Sequence, residues 1–179
     1  MDNYVLSNSR VYVSTRKRYT AHDHFGIWVE LSGFEKRKDY TEHCRKLFPD
    51  EHEPAIIHLD WQNIPPCLIN ESGISSKVFK LTQQVIVMEE IQQQGFAIWL
   101  ARQPDTIYTL KSTEIIQSFI RSYMGYFGDT QQFATYHAKE TMGIIRESNP
   151  HFNFISYANR LFEDKFIMEK GFVFLPDKK

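Results

Sequence analysis

Apolar residues recur along this chain with two spacings, a strand-like alternation near both ends and a helical period between them. Arg10 to Ser14 (RVYVS) and Ile27 to Leu31 (IWVEL) alternate, which predicts two strands. The polar segment between them, RKRYTAHDHFG, reads as a long charged hairpin loop. From Lys38 to Phe48 the residues Tyr40, Cys44 and Leu47 return at helical spacing, and Pro49 stops the run. Ala55 to Leu59 (AIIHL), bounded by Pro54 and Asp60, predicts a third strand. Residues 1–62 are therefore expected to form a small β-β-α-β domain.

Prolines, a glycine and several Ser and Asn residues crowd the stretch Trp61 to Ser76, so it predicts a linker or structured loop. Beyond it Val78, Leu81, Val85, Met88 and Ile91 mark one amphipathic helix, with Gln92 to Gln94 and Gly95 expected to end it. Phe96 to Leu100 (FAIWL) is uniformly apolar, and a helix packed on the preceding one is expected. This defines a mostly helical middle domain, 63–106, closed by Gln103, Pro104 and Asp105.

In the remainder, 107–179, Lys111 to Ile116 extends helically. Phe119, Tyr123 and Phe127 then predict a strand from Phe119 to Phe127, in which Gly125 leaves a gap for close approach of another backbone. Asp129 is placed to cap a helix running to Arg146, and Gln132 can reach back to that cap. Phe133, Ala134, His137 and Ala138 share its inner face, and Asn149 and Pro150 interrupt it. A further helix near Ile155 to Phe162 precedes two strands, Lys165 to Met168 and Phe172 to Leu175, turned at Glu169, Lys170 and Gly171. The expected fold is α+β, three small domains with a three-stranded antiparallel sheet in the last. Phe119, Phe127, Phe133 and Phe162 are expected in cores, because small domains need large side chains to bury enough area.

Charge removes several function classes. The 21 Lys and Arg residues balance 22 Asp and Glu, so no global field draws in DNA or an anionic membrane. Direct DNA binding and membrane attachment are not expected. The start MDNYVLSNSR has no signal-peptide pattern and no apolar run nears bilayer length, which suggests a cytoplasmic protein. Two cysteines, Cys44 and Cys67, make no disulfide framework and no metal spacing.

Candidate chemistry is sparse. His22, Asp23 and His24 are adjacent in a loop and converge poorly on a metal. His43 and Cys44 point about 100° apart on a helix and cannot act as a nucleophile pair. Phosphate-binding glycine loops, nucleophile elbows and zinc-protease signatures do not occur. No catalytic residue, cofactor or metal is assigned. The runs Arg16, Lys17, Arg18 and Lys36, Arg37, Lys38, interleaved with Tyr12, Tyr19 and Tyr40, could grip nucleic acid. Residues 1–60 hold nine basic and ten acidic groups, however, and that mixture is more simply a solvated surface.

Four stretches in register resemble a known family: RVYVSTRKRYTAHDHFGIWVEL, IIHLDWQNIP with INESGIS, FIRSYMGYFGDTQQFATYHAKE, and FNFISYANRLFEDKFIMEKGFVF. Together they are similar to ArdA antirestriction proteins over nearly the whole chain. The resemblance implies an elongated chain of three small α/β domains, encoded by a mobile genetic element and dimerising through its C-terminal domain. It implies no enzyme activity and no cofactor. Its partners would be Type I restriction-modification enzymes, whose DNA site such proteins occupy by imitating DNA.

This chain departs from that pattern in charge. A stand-in for about ten base pairs replaces about twenty phosphates, yet here Gln131, Gln132, Thr135, His137 and Lys139 fill the stretch where relatives concentrate acids. The candidate acidic face is Asp129, Glu140, Glu147, Glu163 and Asp164, with Glu140 and Glu147 seven residues apart, as one helix face requires. The alternative is an accessory protein that keeps the scaffold, loses the mimicry and binds nucleic acid or another partner through the basic runs.

Overall fold

In the computed structural model, residues 4–176 are described. The chain packs as two compact units, Met1–Ile116 and Gln117–Lys179. Its architecture is α+β, with antiparallel sheets of three, two and three strands.

In the first unit β1 (Arg10–Thr15) is the central strand between β2 (Ile27–Glu30) and β3 (Ile56–Gln62). Val11 faces Val29 and Trp61 across the two ladders, and the register with β3 shifts between Tyr12 and Val13. That alternation sends Val11, Val13 and Val29 inward and leaves Arg10, Trp28 and Glu30 outside. Tyr40 and Cys44 of α2 (Arg37–Lys46), with Phe48 beyond it, close the inner face. Burying a side chain such as Phe48 contributes about 1.5–3 kcal/mol. Burial also pushes the Cys44 thiol up to about 11, which leaves it an inert core group.

Two expectations for this unit need correction. The hairpin loop is partly helical: α1 (Arg16–Thr20) starts directly from β1, because the Thr15 side chain accepts the Arg18 backbone N–H at 3.2 Å. The stretch read as a linker contains β4 (Ile69–Asn70) paired with β5 (Gly73–Ile74), and its Ile64, Leu68, Ile69 and Ile74 join the same core.

The helix expected to run through Ile91 is two helices. α3 (Ser76–Val85) is capped by Ser75 and ends at Ile86, and α4 (Glu90–Ala101) starts afresh and passes through the glutamines and buried Gly95. Val85, Met88 and Ile91 fit one helical face as spacing, but the chain turns between them. FAIWL is helical as expected, with Phe96 to Leu100 all buried.

The strand expected from Phe119 is instead the end of α5 (Ser112–Ser122), and only β6 (Tyr123–Tyr126) is extended. Ile115, Ile116 and Phe119 are buried, and a spacing of three and four is a helical face rather than alternation. Gly125 pairs with Val173 of the neighbouring strand just after a register shift that leaves Met124 unmatched; its φ is 127°, and the nearest atoms to a Cβ there belong to the Phe127 ring.

In the second unit β6 pairs with β8 (Phe172–Phe174), which also pairs with β7 (Ile167–Glu169), giving the expected three-stranded antiparallel sheet. α6 (Thr130–Met142) and α7 (Phe154–Asp164) pack on each other over Phe133, Ala134, Ala158, Leu161, Phe166 and Val173. Phe119 and Phe133 are core as expected, and Phe127 and Phe162 pack against it half-buried. α6 stops short of Arg146 because Gly143 adopts φ 67°, a left-handed end that glycine takes without a Cβ penalty.

Candidate partner-binding surface

Asp129 does what its position promised. Its Oδ1 accepts the Gln132 backbone N–H at 2.8 Å and its Oδ2 accepts the Gln132 side-chain amide at 2.9 Å, so the start of α6 is closed from both sides. Those bonds, with Arg146 a lesser influence, hold the carboxyl below the usual carboxylate range. Its charge is largely committed to the cap.

The other four acids are differently placed. Glu140 is exposed near the end of α6, Glu147 in a short 3-10 turn, and Glu163 and Asp164 at the end of α7. None of the four carboxylates has a side-chain hydrogen bond or ion pair among the described residues. Glu140 and Glu147 do not share a helical face, since Gly143 breaks the register between them. Asp129 and Glu140 stand at opposite ends of α6, roughly 16 Å apart along its axis. Exposed Lys139 and Lys165 adjoin these acids in sequence, and Arg160 precedes Glu163 by one turn. Negative charge in this unit is thus presented as separate patches among cations. Residues 117–179 hold seven acidic and eight basic residues.

Of the basic runs, the first is mostly neutralised. Arg18 reaches Asp50 at 2.7 Å, Asp23 at 3.0 Å and Glu51 at 3.3 Å, and lies over the rings of Phe25 and Phe48. Thr15 donates to Glu51 at 2.7 Å, and the Glu51 side chain is 6% exposed. Arg16 pairs with Glu71 at 3.1 Å and Lys38 with Glu42 at 3.7 Å. Lys17, Lys36 and Arg37 are exposed and have no ion-pair partner among the described residues. Sequence reasoning missed the Arg18 cluster, because Asp50 and Glu51 arrive from beyond α2. Asp23 accepts from Arg18 and from the Phe25 backbone N–H, so that loop carboxylate serves folding. Among the described residues, no three His, Cys, Asp or Glu side chains gather as a metal would need.

The second unit also exposes Ile120, Met124, Tyr126, Tyr136, Ile155 and Leu175. Met124 and Tyr126 lie on β6, which among the described residues pairs with β8 alone. Among the described residues no helix is long and apolar enough to cross a membrane.

A family model described as antirestriction protein (ArdA) matches residues 11–174. No curated protein matches the chain.

Proposed function

Since this chain belongs to the ArdA antirestriction protein family, we propose that it inhibits Type I restriction-modification enzymes by occupying their DNA-binding site, in the service of a mobile genetic element. The observation that carries this reading is the extent of the match, which runs from the second residue of β1 to the end of β8. The surface adds support. Arg16, Arg18 and Lys38 are held in ion pairs while Lys17, Lys36 and Arg37 are not, and among the described residues Glu140, Glu147, Glu163 and Asp164 keep their charge unpaired and exposed. Short anionic patches are then available to basic groups that otherwise hold phosphates.

The reading includes a three-domain organisation, 1–62, 63–106 and 107–179, and a homodimer formed through the last of these. It includes no catalysis, no cofactor and a cytoplasmic site of action. Purified protein is expected to abolish cleavage of unmodified plasmid by a Type I endonuclease at near-stoichiometric amounts. A Glu140→Gln, Glu163→Gln, Asp164→Asn variant should need a higher dose. Full cleavage at a large molar excess of the folded protein would reject the reading. Salt-sensitive retardation of DNA by the protein alone would favour a nucleic-acid-binding accessory instead.

A further inference from the structure

We propose that the cleft between α3 and the start of α5 binds a phosphate dianion, as inorganic phosphate or a nucleotide-sized phosphate monoester. A cavity of about 550 Å³ lies there, within the range of small-molecule sites. One wall is a single face of α3, carrying Ser76, Lys77, Lys80, Gln83 and Gln84; the other is the segment Thr109 to Thr113, with Glu35 at the margin.

Charge selects the ligand class. Lys77, Lys80 and Lys111 against Glu35 leave two positive charges in excess, which a phosphate dianion matches and a single carboxylate does not. Lys77 is already oriented, since its ammonium donates to the carbonyls of Tyr108 and Leu110 and so fixes the loop that forms the second wall. Lys80 and Lys111 are exposed, and among the described residues no side-chain partner holds either.

A polar atom without a partner among the described residues borders this same cavity: Ser112 is 6% exposed and its hydroxyl bonds to nothing. A buried hydroxyl without a partner costs free energy that an entering acceptor recovers. Ser112 and Thr113 also open α5, where first-turn N–H groups lack intrahelical acceptors; the Glu114 carboxylate takes the Lys111 N–H at 2.7 Å and leaves the two that follow.

The test is calorimetric titration of the full chain with inorganic phosphate and, separately, adenosine monophosphate. Saturable binding of both, in competition, is expected. A Lys80→Ala, Lys111→Ala variant should weaken each by roughly tenfold or more, with its ligand-free melting temperature unchanged. Glu35→Gln, which removes the carboxylate at the margin of the cleft, should tighten binding, and Lys17→Ala should alter nothing. Absence of binding at millimolar probe overturns the proposal. So does affinity indifferent to Lys80, Lys111 and Glu35, or binding seen only with a 5′-phosphorylated oligonucleotide.

Discussion

The Nδ1 atom of His137 stands 2.8 Å from the Tyr157 hydroxyl and so ties α6 to α7. The imidazole is packed among Phe133, Tyr157 and Phe166. Burial, with Lys165 nearby, lowers its pKa below the ordinary histidine value. The unfolded chain therefore binds the proton at higher pH than the folded one, and stability rises with pH through the interval between the two values.

Melting temperature is accordingly expected to hold steady above about pH 6.5 and to fall as the pH drops through that interval. His137→Gln should flatten part of the fall. His58 in the first unit, also shifted down by burial, should supply a residual slope. Thermal melts of both proteins across a pH series decide it, and identical slopes would remove His137 from the account.

Thr15 performs two tasks with one hydroxyl, capping α1 and holding buried Glu51. Thr15→Ala should cost about 1–2 kcal/mol, the loss of a cap and of one hydrogen bond to a charged acceptor. Thr15→Ser keeps the oxygen and should lose distinctly less. Urea unfolding of the pair measures the difference.

Lys170 and Gly171 connect β7 to β8 as a two-residue turn with φ 50° and 83°, between paired Glu169 and Phe172. Both residues are left-handed, as in a type I′ hairpin, where Asn-Gly is the favoured pair. Lys170→Asn should therefore stabilise by about 0.5–1 kcal/mol. A Cβ on Gly171 would sit 2.6 Å from Tyr126 Cε2 and 3.1 Å from Gly128 Cα, in a backbone that already disfavours it. Gly171→Ala should cost about 2–3 kcal/mol. Chemical denaturation of the two variants should give changes of opposite sign.

What could be read without coordinates follows from how local its cause is. The Asp129 cap, the Lys170 turn and the inner face of α6 rest on residues within a few positions of each other, and each is where the pattern puts it. Phe119 was misread because it, Tyr123 and Phe127 suit an extended chain and a helix alike; buried Ile115 and Ile116 decide for the helix. The Arg18 cluster and the pairing of β4 with β5 depend on chain segments meeting in space, which no spacing rule encodes. The acidic face was legible only as a set of residues. Their register failed at Gly143, a left-handed helix end that the glycine itself signals but that the apolar Met142, Ile144 and Ile145 around it mask by continuing the helical spacing.

Self-association should involve the free edge of the second sheet. Among the described residues β6 has β8 on one side only, and Met124 and Tyr126 on it are 37% and 53% exposed. An edge strand with unpaired backbone groups and exposed apolar side chains is a template for pairing with another chain, and a second copy would bring an identical edge. Met124→Lys places a charge on that edge without touching the buried Phe119, Phe133 and Phe174. The variant is expected to sediment as a monomer at concentrations where the parent sediments as a dimer, with an unchanged circular dichroism spectrum. If the parent is monomeric throughout the micromolar range, the homodimer is wrong. If the parent is a dimer and Met124→Lys leaves it so, the contact lies elsewhere, and exposed Tyr136 and Ile155 on α6 and α7 become the residues to change next.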